Sequence, residues 1–103
     1  MSAYSARTRI KFCGLTRHED ITLAAALGVD ALGFVMWPKS ARSITPALLE
    51  ELAVQVPAFV TRVGLFVNQP AEFIEQCLPY LDLIQLLWDK PQKHPNKKQQ
   101  YRQ

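Results

Sequence analysis

Side chains able to do chemistry are few in this chain and far apart. Cys13 is followed directly by Gly14, and Arg42 ends the run Trp37-Pro38-Lys39-Ser40-Ala41-Arg42. Asn68 precedes Gln69-Pro70, and Gln85 lies two residues before Leu87-Trp88-Asp89. A thiolate is a competent proton acceptor, so Cys13 is a candidate acid or base. The guanidinium fork of Arg42 suits a carboxylate or phosphate. Each residue also has a plainer reading. Cysteine often serves as a small buried hydrophobe. Arg42 can be a solvated loop charge, Asn68 a turn or cap residue, and Gln85 a partner for buried backbone groups. His18 falls in a first helical turn and His94 in a basic tail, so neither makes a convincing general base. Cys77 reads as core. No nucleophile–base pair and no metal-ligand spacing can be assembled, and the two cysteines form no disulfide framework. Free thiols fit a reducing compartment, so a cytoplasmic location is expected.

The elements that must position these residues follow from hydrophobic periodicity. Four apolar or β-branched runs, at residues 9–13, 31–36, 62–67 and 83–87, read as strands. Three amphipathic stretches separate them. The first spans residues 18–27, with Thr16 and Glu19 at capping-box spacing, Ala24, Ala25 and Ala26 favouring helix, and Gly28 as a stop. The second opens with Thr45-Pro46, a cap followed by proline at the first helical position. Leu48, Leu49, Leu52 and Val56 then form its apolar stripe, with Glu50 and Glu51 facing out. The third covers residues 70–78, sets Phe73, Ile74, Cys77 and Leu78 on one face, and is closed by Pro79.

The resulting β-α-β-α-β-α-β order implies a parallel sheet with right-handed crossovers, an α/β fold. Ligands bind such folds at the carboxyl ends of the strands, where Cys13, Gly14, Arg42, Asn68 and Gln85 fall. Asp20, Asp30 and Asp82 are placed on the opposite, stabilising face. An open doubly wound sheet and a closed barrel both fit this order. The turn Cys13-Gly14-Leu15-Thr16 lacks the G-x-G-x-x-G of a dinucleotide site, but spacing leaves both architectures open.

Length and charge bound the rest. A chain of 103 residues has room for one small domain. No apolar run nears the roughly 18 residues that cross a bilayer, and the first nine residues lack a secretory h-region. The net charge of +3 belongs to the tail: residues 1–87 hold seven Lys/Arg against eight Asp/Glu, whereas Lys90, Lys93, Lys97, Lys98 and Arg102 oppose Asp89 alone in residues 88–103. Two regions are therefore expected, a folded unit over residues 1–87 and a basic, disordered tail over 88–103. With only Trp88 and Tyr101 as aromatics, the tail is no footprint for nucleic acid beyond weak, salt-sensitive contacts.

The blocks Lys11-Phe12-Cys13-Gly14-Leu15-Thr16, Gly28-Val29-Asp30-Ala31-Leu32-Gly33-Phe34-Val35 and Ser40-Ala41-Arg42, then Val63-Gly64-Leu65-Phe66-Val67-Asn68 and Asp82-Leu83-Ile84-Gln85-Leu86, stand in an order that resembles the phosphoribosylanthranilate isomerase family. The resemblance spans residues 9–86 and implies a (β/α)₈ barrel, of which this chain supplies about four βα units. It also implies an Amadori rearrangement in tryptophan biosynthesis, without a cofactor, on a small phosphosugar substrate. A general acid opens the furanose ring to an iminium, a general base removes the proton from the adjacent sugar carbon, and the enolamine tautomerises to the ketone. By resemblance Cys13 is the base and Arg42 holds the anthranilate end. Gly14, Asn68 and Gln85 are expected to join the substrate-binding surface.

Two departures from the family pattern set further expectations. Leu86-Leu87-Trp88 stands where the family carries Leu-His-Gly, and a complete barrel takes roughly 200 residues or more. The family's catalytic aspartate and phosphate-gripping loops belong to the second half. A reading-frame shift near codon 87, or a second polypeptide supplying the remainder, would account for the change. The chain alone is expected to be inactive as an isomerase, and to pair with a second copy or with a complementary half-barrel. The alternative is a noncatalytic remnant that self-associates.

Overall fold

A computed structural model describes residues 8–88. Apart from Trp88, the expected basic tail lies outside these residues. Four strands alternate with three helices: β1 Lys11–Cys13, α1 His18–Ala26, β2 Ala31–Val35, α2 Pro46–Ala53, β3 Thr61–Val67, α3 Ala71–Cys77, then a single 3₁₀ turn Leu78–Tyr80 and β4 Leu83–Leu87. None of the helices among the described residues is long and apolar enough to cross a membrane.

The strands form one parallel sheet in the sequential order β1-β2-β3-β4. Cys13 pairs with Gly33, Gly33 with Val63, and Val63 with Leu83. Side chains alternate across a strand, so Leu32, Phe34 and Met36 share one face. All three are fully buried, in a core with Phe66 and with Ile21 and Ala24 of α1, Leu49, Leu52 and Ala53 of α2, and Cys77 of α3. Every helix thus packs on the same face. The opposite face is concave: the Nζ of Lys11 on β1 reaches the Oε1 of Gln85 on β4, 3.3 Å away, across two intervening strands. A doubly wound sheet would reverse its strand order and cover both faces with helices. Sequential order with helices on the convex side is the winding of a barrel, and the described residues form four of its staves.

Local chemistry explains most element boundaries. Thr45 caps α2, its Oγ1 accepting from the Leu48 N–H at 3.1 Å, and Pro46 occupies the first helical position. Leu49 and Leu52 face the core while Glu50 and Glu51 face out. Gly28 ends α1, its N–H donating to the Ala25 carbonyl. The expected capping box of Thr16 and Glu19 does not form. Arg17 is the N-cap, without a side-chain cap, and its guanidinium instead grips Asp20 through contacts of 3.0 and 3.2 Å. In α3, Phe73 meets Phe66 edge-on with ring centroids 6.2 Å apart, and Cys77 is fully buried, as read from the sequence. Leu78 departs from that face and is 45% exposed. It begins the 3₁₀ turn, whose tighter winding rotates it away from the stripe.

At the amino ends of the strands one clamp occurs twice. Asp30 Oδ2 accepts from the Ile10 N–H at 2.8 Å, and Asp82 Oδ2 accepts from the Arg62 N–H at 2.8 Å. Each aspartate precedes its strand by one residue and secures the start of the strand beside it. This bears out their stabilising role. Asp82 also binds the Arg62 guanidinium, with oxygen–nitrogen distances of 3.0 and 3.1 Å.

Candidate active site

A cleft of about 430 Å³ opens at the carboxyl end of β1, and its lining includes Cys13, Gly14, Thr16, Asp20, Ala41 and Arg42. Cys13, the last residue of β1, is exposed. That sets it apart from the inert buried cysteine of the plainer reading, a description that fits Cys77, where burial pushes the thiol up. The Cys13 thiol lies over its strand neighbour Gly33, where a Cβ would sit 2.8 Å from Sγ. Only glycine leaves the thiol that space.

Gly14 turns the chain out of β1 at φ +85°, in the left-handed region that side chains resist. Its N–H donates to the Gly33 carbonyl at 3.0 Å, pinning the turn to β2. The Arg42 side chain crosses directly above it. Arg42 is held from below by its own loop: its N–H donates to Ser40 Oγ at 3.1 Å, the Ser40 N–H to the Trp37 carbonyl, and the Ile44 N–H returns to the Val35 carbonyl. The Trp37–Arg42 segment is therefore a folded turn anchored at both ends, and it brings the exposed Arg42 into the lining of the same cleft as the exposed Cys13.

The other expected site residues are placed differently. Asn68 follows β3 in the left-handed conformation, φ 57°, with its N–H bonded to the Leu87 carbonyl at 3.2 Å. This geometry gives it a turn role, and it is not in the lining of the Cys13 cleft. Gln85 is half-buried on the concave face and lines a second concavity of about 280 Å³ with Lys11, Asp30, Val63 and Leu83. The structure thus joins Cys13, Gly14 and Arg42 and keeps Gln85 apart from them.

Two residues take places that the sequence did not suggest. Asp20, expected on the opposite, stabilising face, instead lines the Cys13 cleft, because a helix that follows a strand starts at that strand's carboxyl end. Arg17 holds its carboxyl below the ordinary range through their hydrogen bonds, so it is ionised at neutral pH. Gln69 braces the ends of β2 and β3, accepting from the Val67 N–H at 2.9 Å and donating to the Met36 carbonyl. Among the described residues, no group of three His, Cys, Asp or Glu could hold a metal.

Sequential parallel strands, helices on the convex side and a cleft at the strand carboxyl ends define the chain's class: a (β/α)₈-type barrel protein, represented among the described residues by three βα units and a fourth strand. Residues 10–101 match the family model of N-(5'-phosphoribosyl)anthranilate (PRA) isomerase, and the chain belongs to that family. The isomerase of Chromohalobacter salexigens is 58% identical over 86 residues, which make up 84% of this chain and 41% of the relative. The crystal structure of the Thermotoga maritima isomerase superposes with a TM-score of 0.76 at 41% identity, covering 82% of this chain and 42% of that one. A second isomerase structure, also at TM-score 0.76 and 41% identity, covers 82% of this chain against 45% of its own and contains reduced 1-(o-carboxyphenylamino)-1-deoxyribulose 5-phosphate. The chain therefore spans less than half the length of these relatives.

Proposed function

We propose that this chain supplies the general-base half of an Amadori isomerase acting on N-(5-phosphoribosyl)anthranilate in tryptophan biosynthesis. The observation that carries this reading is that Cys13 and Arg42 line one cleft at the carboxyl end of β1. In it, Cys13 takes the proton from the sugar carbon next to the iminium. Arg42 grips the anthranilate carboxylate, a task its fork suits through two parallel hydrogen bonds. Gly14 keeps the floor between them low, while Asn68 and Gln85 act from further away.

The proton donor for ring opening comes from outside the described residues. Asp20 is the carboxyl group lining the cleft, and its ion pair with Arg17 leaves it no proton to give at neutral pH. On this reading catalysis needs further barrel strands, which also bring the phosphate grip. A complementary half-barrel would place them against β1 and β4, whereas a second copy would add strands but neither of those groups. A noncatalytic, self-associating chain is the second reading. It draws on an apolar flank where Ile10 and Phe12 of the β1 segment are 42% and 39% exposed and Leu23 and Leu27 beside them are 61% and 63% exposed.

The rate at which iodoacetamide labels Cys13 tests the site. The isomerase reading expects the reduced carboxyphenylamino-deoxyribulose phosphate to slow labelling, and Arg42→Ala to remove the protection. Labelling that the compound leaves untouched in the wild-type chain would overturn the assignment.

A further inference from the structure

The concave face carries a charge that constrains what can close it. Lys11 projects from β1 into a concavity whose lining also includes Arg9, Ala31, Thr61, Val63, Leu83 and the Gln85 amide. Its ammonium donates to Gln85 Oε1 at 3.3 Å and makes no ion pair among the described residues. Asp30 lines the same concavity, but its Oδ2 is engaged by the Ile10 N–H at the start of β1. Open to water, this arrangement is benign. Once further strands complete the ring, Lys11 enters the barrel interior with a neutral amide as its partner, and an ammonium buried that way is strongly disfavoured.

A second copy makes matters worse. A two-fold axis along the barrel would pair each β4 with the other copy's β1 and bring both Lys11 side chains into one lumen. Like charges would then face each other in a medium that screens them poorly. We infer that the concave face is built for a partner of opposite charge: a half-barrel that directs a carboxylate inward against Lys11, rather than another copy of the same face. This rests on the half-barrel reading above and adds the chemistry of the partner.

Charge reversal within the full-length chain provides the probe, since a Lys11→Glu chain presents the same surface with a carboxylate in place of the ammonium. Sedimentation equilibrium is run on wild type, on Lys11→Glu, and on their equimolar mixture. The expected result is a 1:1 heterodimer with a dissociation constant at least about tenfold below that of either chain alone, an advantage that shrinks as salt is raised. Wild type that self-associates as tightly as the mixture, or three samples that behave alike, overturns the inference. Circular dichroism melting confirms that the variant folds. Should it not, Lys11→Met removes the repulsion instead: it must self-associate more tightly than wild type, and unchanged or weaker association overturns the inference. Because association is read without turnover, a failed isomerase assay and a failed closure remain distinct results.

Discussion

The Arg42 side chain passes so close above Gly14 that a Cβ on the glycine would lie 2.7 Å from the arginine Cδ. Position 14 thus serves two ends. It permits the left-handed turn out of β1, and it lets a guanidinium from the loop after β2 lie across the strand that carries the thiol.

Gly14→Ala therefore pays twice, through its backbone and through the displaced arginine. Adopting φ +85° with a side chain costs about 1–2 kcal/mol. The midpoint of chemical denaturation should fall by the corresponding amount, and analogue protection of Cys13 should weaken even where the protein remains folded. A variant with wild-type stability and wild-type protection would show that neither constraint operates.

Accessibility separates the two thiols. Cys13 is exposed and Cys77 fully buried, so a native chain should react rapidly with one equivalent of an aromatic disulfide reagent and take up a second only on unfolding. Gly33→Ala, whose new methyl would lie 2.8 Å from the Cys13 sulfur, should change the fast rate and leave the slow one alone. Two equally fast thiols in the native chain would contradict the placement of Cys77.

Acid sensitivity should trace in part to Asp82. Its hydrogen bonds from the Arg62 side chain and N–H hold its pKa below the ordinary carboxylate value. A depressed folded-state pKa stabilises the fold above the unfolded value, and that contribution is lost as pH falls through the folded one. Asp82→Asn should cost roughly 1 kcal/mol at neutral pH, the partly exposed setting keeping the figure small, and should flatten the loss of stability below about pH 4. Equal slopes for wild type and variant in urea titrations across that range would remove Asp82 from the account.

The sequence made the strand and helix order legible because each unit has a distinct apolar period, and Thr45-Pro46 and Gly28 mark real boundaries. Spacing alone could not choose between open sheet and barrel, since that depends on which face every helix takes, and buried runs such as Ala31–Val35 look alike in both; only the family blocks pointed to the barrel. Capping-box spacing at Thr16 and Glu19 misled because Arg17, between them, had a stronger partner in Asp20. Cys13 and Arg42 were readable as candidates, but their sharing a cleft depends on two glycines leaving room, Gly14 in the turn after β1 and Gly33 on β2. Lys11 was legible only as the first residue of a family block, not as a charge on the concave face. Its importance comes from Gln85, a residue 74 positions away.

Turnover of freshly prepared N-(5-phosphoribosyl)anthranilate shows whether this chain is a catalytic half that needs the rest of the barrel. The 103-residue chain is assayed alone, and again after addition of the separately produced C-terminal half of the Chromohalobacter salexigens isomerase. No turnover above background is expected from the chain alone. The mixture is expected to turn over, with a rate that falls about 10²–10⁴-fold in Cys13→Ala. Turnover by the chain alone, or by a mixture indifferent to Cys13→Ala, would contradict that reading.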